Sequence, residues 1–242
     1  MTGQSHNTMP NQTAAIRILC TLGLRGVMTE IAPMLASRGI DVDASYGATN
    51  MLLGRMAEGE SADVAILVDA AIDALTRRGT ITAGSRRDLA RSGVGVAVAV
   101  GAARPDIGTV EAFRRAMLAA RSIGYSKSGA SGLHFAELIV RLGIAAEVTR
   151  KAKVQDGVVG ELAANGEVEI AVQQISELKL VDGIDIVGSL PDELQKLTVF
   201  SAGVFAASTQ PARAASLIAA LGRPDVTAVM RHKGLEPIAS VV

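Results

Sequence analysis

Short apolar runs alternate along this chain with longer stretches in which apolar residues recur every three or four positions. The first run, residues 16–20, is aliphatic, and apolar positions between 27 and 35 then follow with helical spacing. Such a run predicts a strand, and the spacing predicts a helix. The same patterns predict further strands at 41–46, 61–67, 93–100, 122–125, 146–152, 168–172, 184–188 and 198–205. Further helices are predicted at 47–56, 69–78, 110–120, 133–142, 158–164, 211–221 and 225–232.

Strands that alternate with helices in this way indicate an α/β fold with mostly parallel sheets. We interpret the long runs at 93–100 and 198–205 as strands that cross between two lobes. The chain has 242 residues, which is enough for two lobes of about 100–150 residues each. The predicted organisation is a disordered N-terminal segment at 1–15, lobe 1 at 16–93 and 200–242, and lobe 2 at 94–199.

Composition and charge argue against several classes of ligand. The formal net charge is zero, whereas a protein that binds duplex nucleic acid usually carries a basic excess. The chain has no Trp, two Tyr and four Phe, so it lacks the aromatic surfaces on which bases and sugar rings stack. We therefore expect no nucleic-acid partner and no carbohydrate ligand.

The cysteine and histidine content argues against a metal ion. The single cysteine, Cys20, excludes an internal disulfide, and its place at the end of an apolar run predicts an inert, buried thiol. The three histidines, His6, His134 and His232, lack the spacing of a metal-binding motif. The sequence thus predicts no metal and no cofactor.

No part of the sequence has the pattern of a membrane anchor. Residues 1–15 lack the basic start and apolar core of a secretory signal, and no apolar run approaches the ~18–20 residues of a spanning helix. We therefore expect no membrane insertion. The compartment stays open: the protein is cytoplasmic if the chain is complete as written, and exported if a leader precedes it.

The serine- and glycine-rich segment after the predicted strand at 122–125 is the strongest candidate for a binding site. It opens a predicted helix, and the first turn of a helix carries partial positive charge and backbone N–H groups without partners, so it attracts an anion. Glycines let the backbone approach a ligand, and hydroxyl groups add donors. The side chains that could contact an anion here are Ser126, Lys127, Ser128, Ser131 and His134. The alternative is an ordinary turn in which Ser131 caps the helix.

A second candidate lies at Gln173 and Gln174, directly after the predicted strand at 168–172. In open α/β sheets, ligands bind at the carboxyl ends of strands. Two amide side chains at this place indicate contact with a ligand or, alternatively, hydrogen bonds to the backbone of the next helix.

Several segments together resemble type 2 periplasmic solute-binding proteins, in particular the molybdate-binding branch. They are 20–26, 46–50, 58–64, the serine-rich turn at Ser126 and the late 234–237. The resemblance covers almost all of the chain from 16 to 237. It implies two α/β lobes joined by two crossing strands, with a small anion held in the cleft by helix N-termini and hydroxyl groups from four loops. It also implies a monomer, a periplasmic location and an ABC-type transporter as partner.

Transferred position by position, the four loops of that family fall on four places in this chain. The residues concerned are Thr21, Gly23 and Arg25 in the first loop, Thr49 and Asn50 in the second, Ala130 and Ser131 in the third, and Gln173 or Gln174 in the fourth. The family normally has a serine where this chain has Gly23, and a tyrosine in the fourth loop. These two departures argue against molybdate itself.

Two functions stay open at this point. One is a solute-binding protein that holds an oxyanion or an organic di- or tricarboxylate and passes it to an ABC transporter. The other is an enzyme, because 128–134, 173–178 and 188–191 resemble a side branch that includes aconitate isomerases. A tricarboxylate gains more than a tetrahedral oxyanion from Arg25 and Lys127. His134 would then be the base or donor of the isomerase.

Overall fold

The computed structural model describes residues 14–239, which form two β-sheets with helices packed on their faces. We call the part around the six-stranded sheet lobe 1 and the part around the five-stranded sheet lobe 2. Lobe 1 contains strands from both the beginning and the end of the chain, and lobe 2 contains strands from the middle. The α/β class predicted from the sequence is confirmed.

The sheet of lobe 1 is parallel at one side and antiparallel at the other. Its strands, in sheet order, are β11 (Glu236–Pro237), β4 (Arg87–Ser92), β10 (Thr198–Val204), β3 (Val64–Val68), β1 (Ile16–Thr21) and β2 (Val42–Gly47). β1 pairs in parallel with both β2 and β3, and Cys20 lies opposite Tyr46 and Ile66. β10 runs antiparallel to β3 and β4.

The sheet of lobe 2 has the same mixed arrangement, with three parallel strands at one side and antiparallel pairing at the other. Its strands, in sheet order, are β7 (Ala152–Gln155), β6 (Ile123–Ser126), β8 (Ile170–Gln174), β5 (Val94–Ala99) and β9 (Ile184–Ser189). β6 pairs in parallel with β7 and β8, and β5 runs antiparallel to β8 and β9. The carboxyl ends of β6, β7 and β8 therefore lie along one edge.

Helices cover both faces of each sheet. They are α1 (Arg25–Ala36), α2 (Thr49–Ala57), α3 (Asp69–Arg77), α4 (Val110–Ala119), α5 (Ala130–Arg141), α6 (Ala145–Arg150), α7 (Gly160–Ala164), α8 (Ile175–Leu178), α9 (Pro211–Leu221) and α10 (Pro224–His232). Adjacent residues of β1, Ile18 and Leu19, belong to separate cores on opposite faces, and so do Ala171 and Val172 of β8. Burial on both faces is the reason why these strands are nearly continuous apolar runs.

Two segments connect the lobes, and hydrogen bonds of Gln195 join the two segments. The first segment passes from β4 to β5 through Gly93, and the second passes from β9 to β10 through a 3-10 turn at Asp192–Leu194. Oε1 of Gln195 accepts a hydrogen bond from the Val94 N–H at 2.7 Å, and Nε2 donates to the Val94 carbonyl at 2.9 Å. A Cβ atom at Gly93 would lie 2.9 Å from Nε2 of Gln195, so glycine permits this approach.

One predicted element is wrong, and three are missing from the prediction. The stretch predicted as a strand at 146–152 begins with the helix α6, and β7 follows only at Ala152. Val148 and Thr149 are β-branched and favour a strand locally. In α6, however, Val148 lies on the face of the helix that packs into the core of lobe 2. The sequence pattern also misses β4, α8 and β11, which are short or carry charged side chains.

Two expectations concern the ends of the chain and the membrane. No helix in residues 14–239 is long and apolar enough to cross a membrane. Of the segment predicted to be disordered, residues 1–13 lie outside the described residues, while the carbonyl oxygen of Ala15 accepts a hydrogen bond from Nε2 of Gln210 at 3.2 Å. The lobe boundaries at 93/94 and 199/200 stay a prediction.

Candidate functional site

The carboxyl ends of the parallel strands lead into helices in both lobes. In lobe 1, β1 leads through a 3-10 turn at Leu22–Leu24 into α1, β2 leads into α2, and β3 leads into α3. In lobe 2, β6 is followed by α5, β7 by α7 and β8 by α8. The N-cap residues of α1, α2 and α5 are Leu24, Ala48 and Gly129, and none of them gives a side-chain hydrogen bond to its helix. The backbone N–H groups of these first turns can therefore bind an anion.

The serine-rich loop before α5 is fixed by its own contacts. Oγ of Ser126 accepts a hydrogen bond from the Gly129 N–H at 2.9 Å. A Cβ atom at Gly132 would lie 1.8 Å from the carbonyl oxygen of Ser126, so only glycine fits there. The hydroxyl group of Ser128 donates a hydrogen bond to Asp156, which follows β7. The loop is thus held against the start of α5 on both sides.

Ser131 lies in the first turn of α5 and carries an unsatisfied hydroxyl group. The residue is 1% exposed, and its Oγ atom has no hydrogen-bond partner within residues 14–239. The alternative in which Ser131 caps the helix is wrong, because the N-cap is Gly129. A buried polar atom without a partner costs on the order of 1–3 kcal/mol. Such an atom is expected where a ligand supplies the missing partner.

The second loop meets the third loop across the gap between the lobes. Nδ2 of Asn50, in the first turn of α2, donates a hydrogen bond to the carbonyl oxygen of Ser128 at 3.2 Å. Thr49, next to it, is buried and accepts a long hydrogen bond of 3.4 Å from the Val68 N–H at the end of β3. Residues that the sequence places in separate loops, 49–50 and 126–131, are therefore neighbours.

The first loop is shaped by packing against β10. Thr21 is buried at the end of β1, and Gly23 lies in the turn that follows. A Cβ atom at Gly23 would lie 2.5 Å from Cζ of Phe200. A serine at this position would require the Phe200 ring to move, which gives a packing reason for the departure at Gly23.

Arg25 begins α1 and lines a cavity between the lobes. The cavity has a volume of about 540 Å³, within the range of small-molecule sites. Its lining includes Arg25, Gly26 and Lys233 from lobe 1 and Val158, Glu161 and Lys179 from lobe 2. Cζ of Arg25 also lies 5.9 Å from the centroid of the Tyr46 ring, a cation–π contact that holds the side chain beside the end of β2.

The side-chain amide of Gln173 is occupied within lobe 2. Its Oε1 atom accepts hydrogen bonds from the N–H groups of Val159 at 2.7 Å and Gly160 at 3.2 Å. Its Nε2 atom donates to the carbonyl oxygen of Gly157 at 2.9 Å and to Oε2 of Glu177. The backbone-bonding alternative raised by the sequence therefore applies to Gln173, although the helix concerned is α7, which precedes it.

Glu177 is a buried carboxyl group beside the cleft that the sequence analysis misses. The residue is 8% exposed, and α8, which carries it, packs against α1 and the turn at Leu22–Leu24. Burial raises the pKa of Glu177 to about 7, although the hydrogen bond from Gln173 acts in the opposite direction. One feature of the sequence could have indicated Glu177. It is an acidic residue that follows the apolar run of β8 by only a few positions, and β8 is fully buried.

Gln174, the second of the two glutamines, has its hydrogen-bond partners in the segments that connect the lobes. The Gln174 amide lies between Oγ1 of Thr198 and the carbonyl oxygens of Gly93 and Ser92. All these groups are satisfied in one orientation of the amide. Its nitrogen then donates to Gly93 at 2.8 Å and to Ser92 at 3.1 Å, and its oxygen accepts from Thr198 at 2.6 Å. Gln174 thus connects the two crossing segments.

Lys127 lies next to Ser128 in the serine-rich loop, and His134 lies one turn after Ser131 in α5. His134 is buried, and its Nε2 atom lies 2.8 Å from the carbonyl oxygen of Leu194 in the second crossing segment, so Nε2 carries a proton and donates it. Lys127 is exposed, and its backbone N–H donates to the Gln155 carbonyl at 2.9 Å. Ala130 is the first residue of α5 and lies beside Ser131. The ligand-binding roles of all these residues stay predictions.

Cys20 and the side chains that could bind a metal ion are the remaining groups of chemical interest. Cys20 is buried, and burial raises the pKa of its thiol far above the ordinary value, which makes it a poor nucleophile. Within the described residues, no group of three or more His, Cys, Asp or Glu side chains is arranged to hold a metal ion.

A family model described as bacterial extracellular solute-binding protein matches residues 16–236 of this chain. The chain belongs to this family. The match includes both sheets and every helix start described above, so the resemblance inferred from the sequence is confirmed. A role in binding a solute between two lobes follows at this level, whereas the family does not specify the solute.

Individual relatives point to different anions. An aconitate isomerase from a Pseudomonas species is 35% identical over 231 residues, which cover 92% of this chain and 88% of that protein. The periplasmic molybdate-binding protein of Azotobacter vinelandii has a TM-score of 0.75 at 17% identity, and the match covers 91% of this chain and 98% of that one. A sulfate-binding protein from Mycobacterium tuberculosis has a TM-score of 0.70 at 14% identity, with 93% and 88% covered. The two structural matches support the two-lobed fold.

Proposed function

We propose that this protein binds an unsaturated tricarboxylate such as aconitate between its lobes and interconverts the isomers of that compound. The observation that carries the proposal is the 35% identity to the Pseudomonas aconitate isomerase over 231 residues. That relative is twice as similar in sequence as the molybdate-binding protein, at 17%. The match extends over 92% of the chain and so spans both lobes.

Groups that could hold several carboxylates occur at the strand ends of both lobes. Helix starts without side-chain caps at α1, α2 and α5 offer backbone N–H donors, and Ser131 offers a hydroxyl group without a partner. Arg25 adds a guanidinium group, which binds a carboxylate through two parallel hydrogen bonds. Donors that come from both lobes suit a ligand with carboxylates at separate positions.

The helix α8, at the contact between the lobes, carries a group suited to proton transfer. Moving a double bond within a tricarboxylate requires a base, a proton donor and cationic groups that hold the charge formed in between. Glu177 ionises near neutral pH, with its pKa raised by burial.

The test is turnover of trans-aconitate by the purified protein, followed as cis-aconitate by NMR. We expect turnover in both directions, and a tenfold or larger rise in KM for Arg25→Gln because a charge-assisted contact to a carboxylate is lost. Arg115→Gln is the matched control, since Arg115 is exposed on α4. Absence of turnover in the unaltered protein, in either direction, would refute the enzyme.

The second candidate is a receptor that passes an oxyanion to an ABC transporter. The likeness of the fold to molybdate- and sulfate-binding proteins favours it. A thermal-shift series with molybdate, tungstate, sulfate and trans-aconitate distinguishes the two, because a ligand raises the midpoint of unfolding according to its affinity. Stabilisation by molybdate or tungstate alone, without turnover of aconitate, would support the receptor.

A further inference from the structure

The carboxyl group of Glu177 is buried on α8, which packs against lobe 1, and one of its oxygen atoms has no hydrogen-bond partner among the described residues. Oε2 accepts a hydrogen bond from Nε2 of Gln173, while Oε1 has no partner within residues 14–239 and is not sealed from solvent. Gln173 is itself fixed by the backbone of Val159 and Gly157, so the carboxylate is held in one orientation. An oriented carboxylate with one oxygen free is suited to accept a proton.

The helix that carries Glu177 packs against lobe 1, and Lys179 and Leu180, which follow this helix, line the interlobe cavity. α8 packs against the turn at Leu22–Leu24 and against α1 of lobe 1. A Cβ atom at Gly26 of α1 would lie 2.9 Å from Leu180, which follows α8, so the two lobes are in close contact here. Val158, next to the residue bound by Gln173, lines the interlobe cavity together with Arg25. Glu177 therefore belongs to a short helix at the contact between the lobes, next in sequence to residues that line the cavity.

We propose that Glu177 is the group that carries the proton between the two carbon atoms of the substrate; this inference rests on the proposed function. The Glu177 carboxylate removes a proton from the CH₂ group, and the electrons of that C–H bond form a new double bond to the central carbon. The electrons of the former double bond then take the proton back from the Glu177 carboxylic acid at the former vinylic carbon. One carboxyl group is both base and donor, and no oxidant or reductant is needed.

His134, the base or donor suggested by the sequence, uses one of its two ring nitrogens in the structure. Its Nε2 proton is donated to the Leu194 carbonyl in the second crossing segment. One oxygen of Glu177 has no partner within residues 14–239, and its pKa of about 7 lets the ionised and protonated forms of the carboxyl group interconvert at neutral pH. The charged residues on the elements around α8 are Arg25 and Glu30 on α1, Glu161 on α7, Lys179 after α8 and Asp185 on β9.

The decisive variant is Glu177→Gln, which keeps the size of the side chain and an oxygen that accepts the hydrogen bond from Gln173. We expect turnover of trans-aconitate to fall at least about 100-fold, while the thermal shift caused by trans-aconitate is retained. Glu147→Gln is the matched control, because Glu147 is exposed on α6. Turnover of Glu177→Gln within about threefold of the unaltered protein would overturn the inference.

A pH profile decides the case in which Glu177→Gln loses both turnover and ligand binding. In the unaltered protein, we expect kcat to rise with pH through an ionisation near 7, because the carboxylate is the active form. A kcat that is flat from pH 5.5 to 8.5 would overturn the assignment to Glu177. Failure of the proposed function is distinguishable, since the unaltered protein would then show no turnover at any pH.

Discussion

Asn50 of lobe 1 donates a hydrogen bond from Nδ2 to the carbonyl oxygen of Ser128 in lobe 2, over 3.2 Å. This contact joins the first turn of α2 to the loop before α5. Both helix starts lack side-chain caps, so the bond forms where two of the predicted anion-binding loops meet. We infer that it helps to hold the lobes together over the ligand.

Replacing Asn50 by alanine should favour the open arrangement of the lobes. A net loss of about 0.5–1 kcal/mol for an exposed hydrogen bond corresponds to a two- to fivefold weaker affinity for the ligand. Titration calorimetry with trans-aconitate measures this change, and small-angle scattering of the ligand-free protein should show a larger radius of gyration. Met51→Ala, at the exposed neighbouring position, should change neither; if it does, the effect belongs to α2 as a whole.

Ser131→Ala should stabilise the ligand-free protein and weaken ligand binding. The Oγ atom is buried and has no hydrogen-bond partner within residues 14–239, so its removal relieves a desolvation cost and should raise the free energy of unfolding by about 1–3 kcal/mol. Affinity should fall about tenfold if the ligand supplies the missing partner. Ser176→Ala is the comparison, because Ser176 also has a buried Oγ without a partner. Equal affinity of Ser131→Ala and the unaltered protein would remove Ser131 from the site.

Gly132→Ala should damage the serine-rich loop, whereas Gly54→Ala should be harmless. A Cβ atom at 132 would lie 1.8 Å from the Ser126 carbonyl oxygen, but a Cβ atom at 54, on the exposed side of α2, meets nothing within 4 Å. We expect Gly132→Ala to lower the free energy of unfolding by several kcal/mol and Gly54→Ala to raise it by about 0.5–1 kcal/mol. Urea unfolding checks both values. A mild effect at 132 would mean that the loop moves easily away from α5.

Asp63 should be the main support of the junction between β1, β3 and the chain before α9. Burial acts to raise the pKa of Asp63, but hydrogen bonds from the Ser208 hydroxyl, the Arg17 N–H and Gln210 lower it overall. Asp63→Ala leaves these donors without an acceptor and should cost about 2–4 kcal/mol in the free energy of unfolding. Because the pKa is lower in the folded state, the stabilisation is present above the unfolded value near 3.8 and is lost as the pH falls through the folded value.

An acid titration of unfolding, with Asp63→Asn as the conservative variant, tests this. The asparagine keeps an oxygen acceptor but does not ionise, so its stability should depend less on pH below 4. An unfolding free energy that falls equally steeply with acid in both proteins would assign the dependence to other carboxylates.

Glu177 should make the free energy of unfolding depend on pH in the opposite direction to Asp63. Its pKa is raised from 4.5 to about 7, so the folded protein holds the proton more tightly than the unfolded chain does. The contribution to stability is complete below the unfolded value and is lost as the pH rises through 7, a change of about 3 kcal/mol. Glu177→Gln should therefore be more stable than the unaltered protein at pH 8 and similar to it at pH 4.5. Equal stability of the two proteins at pH 8 would show that burial of Glu177 carries no such cost.

The order of strands and helices could largely be predicted from the sequence. The pattern of 16–20 and 27–35 corresponds to β1 and α1, and the helix predicted at 211–221 is found at Pro211–Leu221. These elements are long or bury one continuous apolar face, so the local pattern and the tertiary contacts agree. They disagree at 146–152, where β-branched residues lie in the helix α6. Only one face of this segment is buried against the core of lobe 2, and a helix provides such a face.

The candidate site was predicted less completely. The sequence identifies the serine-rich loop, Arg25 and the two glutamines as polar groups at strand ends. It does not show that Gln173 is occupied by α7 or that Gln174 connects the crossing segments, because those partners lie 13 or more residues away in the chain. It also misses Glu177, whose importance comes from burial rather than from a motif.

By itself, the sequence determined the α/β class, the helix starts at the strand ends and the supply of neutral and cationic groups for an anion. Each of these depends on residues that are close together in the chain. Only the tertiary structure decided that Asn50 meets Ser128, that the Ser131 hydroxyl has no partner among the described residues and that Glu177 is buried. The physical reason is that hydrogen-bond satisfaction and the pKa of a buried group are set by atoms from distant segments, and folding alone brings those atoms together.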